Sequence, residues 1–134
     1  MTGEVGDAEL PDADATVTAE EYSFATQGLV AGVDLIRFDN TGKEPHHLIA
    51  IPYEAGATFE KVKAFGTSDA PPDGPPPVDF SRASVTAVLE GGDSQITELG
   101  LATSGKYAFI CFISDRAGGP PHATLGMINE VVVE

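Results

Sequence analysis

The chain has 134 residues, with 21 Asp plus Glu against seven Lys plus Arg and a formal net charge of −14 at pH 7. That length holds one domain, and the charge argues against nucleic acid and anionic membrane surfaces as partners, since both need clustered Lys and Arg. Hydrophobic residues at 42% supply an ordinary core, and a single cysteine rules out an internal disulfide framework; no stretch approaches the roughly 18 apolar residues of a membrane span.

Residues 1–15 carry Glu4, Asp7, Glu9, Asp12 and Asp14 and no positive charge, and read as a flexible acidic leader. They have neither the basic start nor the apolar stretch of a secretory signal. The protein is therefore either cytoplasmic or a chain from which a signal has been removed. Residues 16–134 form the domain. Its β-branched and aromatic runs are short: 17–25, 29–38 (broken by Gly32), 48–53, 85–89, 94–99, 107–113 and 127–133. Turn residues separate them at Asn40-Thr41-Gly42, Gly91-Gly92-Asp93 and Ser104-Gly105. Short strands at this spacing predict an all-β Greek-key β-sandwich. Two segments depart from the plan. Residues 59–65 read as one short helix capped by Thr58, with Glu60 in its first turn, Gly66 just past its end, and Phe59 and Val62 toward the core. Residues 69–79 hold Pro71, Pro72, Pro75, Pro76 and Pro77 and read as a semi-rigid Pro-rich surface loop.

The chemistry lies in the soft and borderline donors. Three His, one Cys and, besides Met1, one Met occupy two places: His46 and His47 after Pro45, then Cys111, His122 and Met127. Taken singly, each has an ordinary explanation. Cys111 lies in Ala-Phe-Ile-Cys-Phe-Ile and reads as a buried thiol, Met127 as core filler, and the histidines as loop residues. Together, two imidazoles, a thiolate and a thioether make the ligand set of a blue-copper site. Imidazole suits Cu(II), thiolate suits Cu(I), and a weak axial thioether tunes the potential between them.

Those residues also carry a resemblance. Gly105-Lys106-Tyr107-Ala108-Phe109-Ile110-Cys111, with Leu101 before it, resembles the strand that ends on the copper-ligating cysteine of plastocyanin and its cupredoxin relatives. His122-Ala123-Thr124-Leu125-Gly126-Met127-Ile128 resembles their second histidine and methionine, and residues 131–133 their closing strand. Asn40-Thr41-Gly42 followed by Pro45-His46 is similar to the loop that delivers the first histidine. Leu29, Ala31 and Gly32, leading to Ile36 and Phe38, fit the strand before it. The resemblance implies one copper ion, Cu(I)/Cu(II), held by His46, Cys111, His122 and Met127, with Cys111 as a thiolate that the metal itself stabilises. It implies a one-electron carrier rather than an enzyme, with the electron leaving through a ligand edge at the surface, and a redox protein as partner in the periplasm or outside the cell. The negative charge fits a basic partner and equally a salt-rich habitat.

The sequence departs from the family in three ways. Ten residues separate Cys111 from His122 where relatives have only a few, which removes the constraint of a short loop; Gly118 and Gly119 permit the chain to turn tightly. His47 stands where Asn is common. Successive strand residues face opposite ways, so His46 is favoured as ligand and His47 is expected behind it or toward solvent. The proline loop could cover a face that relatives use for docking. Acidic pairs such as Glu20-Glu21 read as a solvated face. Two further readings stay open: a copper carrier or storage domain, and a metal-free binding or structural module on the same sandwich.

Overall fold

The computed structural model describes residues 13–67, 76–101, 103–115 and 117–133. Most of the acidic leader (residues 1–12) and most of the proline loop (residues 68–75) lie outside the described residues. Among the described residues, eight strands and one α-helix follow in chain order: β1 (Ala15–Glu20), β2 (Ser23–Gln27), β3 (Gly32–Asn40), β4 (Ile49–Pro52), α1 (Phe59–Thr67), β5 (Ser84–Val85), β6 (Ser94–Leu101), β7 (Gly105–Ile110) and β8 (Ile128–Val133). One sheet runs β2-β1-β3-β6 and the other β5-β4-β7-β8. All neighbouring strands are antiparallel except β1 and β3, which are parallel, with Val17 opposite Phe38. The expected β-sandwich with one short helix is the observed architecture.

Alternation builds the first sheet. Ala15, Val17 and Ala19 of β1, and Ile36 and Phe38 of β3, are buried while the residues between them are partly exposed, the period of two that lets a strand bury one face. These residues meet Leu48, Ala50, Tyr107, Phe109, Cys111, Met127 and Val133 of the opposite layer in one core. The second sheet is different, because its outer face is covered too. Ile51, Ala108, Ile110 and Ile128 pack with Val62 of α1, Val78 and Ala123 in a second cluster. A strand buried on both faces loses its alternation, and Tyr107, Ala108, Phe109 and Ile110 are all buried. That explains the unbroken apolar run that leads into Cys111.

Several boundaries move, each for a physical reason. Residues 17–25 are two strands rather than one run, folded back at Glu21 and Tyr22. The 85–89 run keeps only Ser84–Val85 as a strand, and Leu89 instead pairs with His46. Gly66 lies within α1 rather than past its end; a Cβ there would overlap the Ile128 side chain, so its role is close approach of helix to sheet. The Thr58 hydroxyl does cap α1, accepting the Lys61 N–H at 3.3 Å.

Candidate metal centre

Strand phase delivers the cysteine and the first histidine to one point. Tyr107, Phe109 and Cys111 alternate inward along β7 and its continuation, and His46, Leu48 and Ala50 do the same along the approach to β4. His46 exchanges backbone hydrogen bonds with Leu89, donating at 3.0 Å and accepting at 2.8 Å, so its position is held by a sheet-like pairing on one side. The second histidine arrives differently. Its N–H donates to the Ile113 carbonyl at 2.8 Å, and Ser114 pairs with Pro121. The long Cys111-to-His122 loop is therefore closed at its base: the chain leaves after Ile113, turns with φ of +98° at Gly118 and +108° at Gly119, and returns beside its point of departure. The two glycines turn the chain as the sequence leads one to expect, since positive φ is strained for other residues.

The result is a buried triangle of donors. Cys111 Sγ lies 3.8 Å from His46 Nδ1 and 3.6 Å from His122 Nδ1, and the two Nδ1 atoms are 3.1 Å apart. All three residues are fully buried, and they form the one such group of His, Cys, Asp and Glu donors among the described residues. Met127 is also fully buried, and its backbone joins both ligand segments: its N–H donates to His122 O at 3.0 Å and its carbonyl accepts from Cys111 N at 3.3 Å.

Each imidazole has its far nitrogen on a carboxylate. His46 Nε2 lies 2.7 Å from Glu21 Oε2, and His122 Nε2 lies 2.7 Å from Asp115 Oδ1. An ionised carboxylate only accepts, so each Nε2 carries a proton, and in the neutral ring Nδ1 then presents its lone pair to the centre. Burial pushes the Glu21 carboxyl up, but the N–H groups of Lys43 and Glu44 and the His46 ring outweigh it and hold it below the usual range. Burial pulls His46 below the ordinary imidazole value, only partly offset by Glu21, which favours the neutral ring. Burial raises Cys111, while hydrogen bonds from the backbone N–H groups of His47 and Ile113 pull it back toward the thiolate.

This donor set fits a metal ion. Two nitrogen lone pairs 3.1 Å apart and facing a sulfur repel one another in a dry site unless a cation lies among them. A first-row ion bonded at about 2.0–2.1 Å to nitrogen and about 2.3 Å to sulfur holds such donors about 3.3–3.8 Å apart. The two sulfur edges match that range and the His–His edge is slightly shorter.

The backbone in which this triangle sits has known counterparts. The chain is similar to the dithionite-reduced auracyanin of the photosynthetic bacterium Roseiflexus castenholzii, with a TM-score of 0.54 and 20% identity over 89% of this chain and 94% of that one. Auracyanin B gives a TM-score of 0.53 and 23% identity over 89% of this chain and 86% of that one. The fold is that of the cupredoxins. No family model matches the sequence, and no curated protein does either.

Within this cupredoxin sandwich the histidine pair separates as strand alternation requires. His47 points away from the triangle, and its Nε2 accepts the Phe112 N–H at 3.1 Å. Burial, then the nearby His122 and His46, push its pKa down, so it serves as a neutral acceptor. Two expectations fail. Neither imidazole reaches the surface, because Glu21, Asp115 and the Tyr22 ring, 5.1 Å from the His122 ring, cover them. And Glu21 is no solvated face residue: it is bound to His46 and to the 40–44 turn. Glu21, Tyr22 and Asp115 are the site residues that sequence reasoning missed. Among 21 acids none stands out. The one available signal was Asp115 lying inside the Cys-to-His loop.

Proposed function

We propose that this protein binds a single copper ion through His46 Nδ1, Cys111 Sγ and His122 Nδ1, with the Met127 thioether as a weaker donor, and carries single electrons between redox proteins outside the cytoplasm. The observation that supports this most is the buried His46–Cys111–His122 triangle, with both Nε2 atoms committed to carboxylates. Thiolate plus two imidazoles is the donor set that serves both oxidation states of copper. When bound, copper would supply a one-electron couple between Cu(I) and Cu(II).

The chain's own residues do the rest. The sheet pairing of His46 with Leu89 and the closed base of the long loop hold the donors in place, so little rearrangement accompanies a change of charge. Complete burial keeps water from the centre and disfavours the ready exchange that a copper carrier needs. It also disfavours a thiol nucleophile at Cys111, which requires access and a lowered pKa.

The test is to add Cu(II) to the reduced protein and record its visible spectrum beside Cys111→Ser. A strong thiolate-to-metal absorption that vanishes in the variant is expected; its absence from the unaltered protein, or its survival in the variant, overturns the assignment. Met127→Leu is expected to keep the band and raise the reduction potential, because a donor to Cu(II) is removed. An unchanged or lowered potential removes Met127 from the ligand set.

A further inference from the structure

The carboxylates behind the two imidazoles are built into the fold. Glu21 sits at the β1–β2 turn, and its two oxygens accept the Lys43 N–H at 2.9 and 3.1 Å and the Glu44 N–H at 3.4 Å as well as the His46 ring. Gly42 makes this possible, for a Cβ at that position would overlap the Glu21 carboxyl group. Asn40 pins the same turn: its amide donates to Glu44 O at 2.8 Å and Leu89 O at 3.0 Å, and its Oδ1 accepts from Gly42 N at 3.0 Å. Asp115 exists at its place only because the Cys111-to-His122 loop is long. It holds His122 through Oδ1 and lies 3.5 Å from the Tyr22 hydroxyl through Oδ2. Residues 21 and 22 of one turn thus serve both imidazoles, one through its carboxylate and the other through its ring and hydroxyl.

We propose that Glu21 and Asp115 are a matched pair of positioning residues that fix both histidines with Nδ1 toward Cys111 and bias a bound copper ion toward Cu(II). This inference rests on the copper reading above. Two arguments carry it. A carboxylate that accepts from the far nitrogen fixes the tautomer and makes the ligating nitrogen more basic. Two negative charges one imidazole away from the centre also favour the more highly charged oxidation state. The side chains of Glu21 and Asp115 are 24% and 34% exposed, which weakens but does not abolish that field.

Two measurements test it. In the metal-free protein, nitrogen NMR of the imidazoles reports the tautomer directly. Both rings are expected to carry the proton on Nε2, and Glu21→Ala and Asp115→Ala are expected to mix the tautomers of His46 and His122 respectively. A proton on Nδ1 of either ring in the unaltered protein overturns the positioning role, whether or not copper binds. In the copper-loaded protein, the potential is measured for the parent, Glu21→Gln, Asp115→Asn and the double variant. Each single change is expected to favour Cu(I) over Cu(II) by about tenfold, or about 59 mV upward, with the double variant higher than either. A retained visible band with unmoved or lowered potentials overturns the electrostatic role. If the parent shows no band at all, it is the copper reading that fails, and the tautomer measurement still decides the pairing.

Discussion

The two imidazoles face the same thiol and carry the same kind of carboxylate, yet they are held by unlike machinery. On the His46 side the support is sheet-like. His46 pairs with Leu89, and Glu21 is gripped by two backbone N–H groups of a turn that Asn40 fastens to Leu89. A Cβ at Gly91 would in turn overlap the Gly42 and Lys43 carbonyls, so that turn has no room to shift. On the His122 side the support is a loop. Its base is closed by Ser114 against Pro121, but its tip turns through two glycines, and the Asp115 carboxylate meets the His122 ring and, at 3.5 Å, the Tyr22 hydroxyl. One side of the centre is positioned by the packing of the whole sandwich and the other by a self-contained excursion. The difference predicts where the centre is brittle and where it is adaptable.

The largest effect is expected on the packed side. Gly42→Ala forces Glu21 out of its cradle and leaves the buried His46 Nε2–H without an acceptor, at a cost of about 1–3 kcal/mol. Chemical denaturation should show that loss, and the imidazole signals of His46 should change more than those of His122. Gly118→Ala meets open space, so its cost is backbone strain alone, about 1–2 kcal/mol, with the disturbance confined to His122. If the two variants disturb both rings equally, the two supports are one unit and the contrast is lost.

A smaller effect tests the reach of the centre. His47 and His46 are adjacent, but only His46 belongs to the triangle. His47→Leu leaves the Phe112 N–H unpaired and is expected to cost about 1 kcal/mol of stability, while the visible band of the copper-loaded protein persists. Loss of the band in this variant would place His47 among the ligands.

The same contrast explains what was legible in the sequence. Features that follow from strand phase could be read: the strand-forming runs at 29–38 and 107–113, His46 rather than His47 as the favoured ligand, and Cys111 two and four residues beyond Phe109 and Tyr107. These depend on a period that the chain itself displays. Glu21 and Asp115 depend on tertiary approach, and apart from the place of Asp115 within the Cys111-to-His122 loop nothing local distinguishes them from the many acids that merely face solvent. Gly66 was misread for the related reason that a glycine near a helix end looks the same whether it terminates the helix or admits a neighbour such as Ile128. The turn at Glu21 and Tyr22 was hidden inside a run of strand-forming residues, with no Gly, Pro or Asn to mark it.

The smallest expected effect lies at another carboxylate, which makes the value of a partner plain. Asp34, on β3, is 1% exposed; its Oδ1 accepts the Val30 N–H at 3.3 Å, and its Oδ2 has no hydrogen-bond partner among the described residues. Burial, with Asp14 nearby, raises its pKa above the ordinary value despite the Val30 bond. The fold therefore binds this proton more tightly than the unfolded chain does. Its contribution to stability is fully present below the unfolded carboxyl value and is lost as pH rises through the raised folded value. Glu21, held below its usual range by donors, has the opposite sign, stabilising above the unfolded value and losing that as pH falls through the folded one. Asp34→Asn should thus flatten the fall in stability just above the ordinary carboxyl range, measured as the denaturation midpoint against pH. A slope that survives the substitution would mean that Asp34 finds its missing partner and that its burial costs the fold nothing.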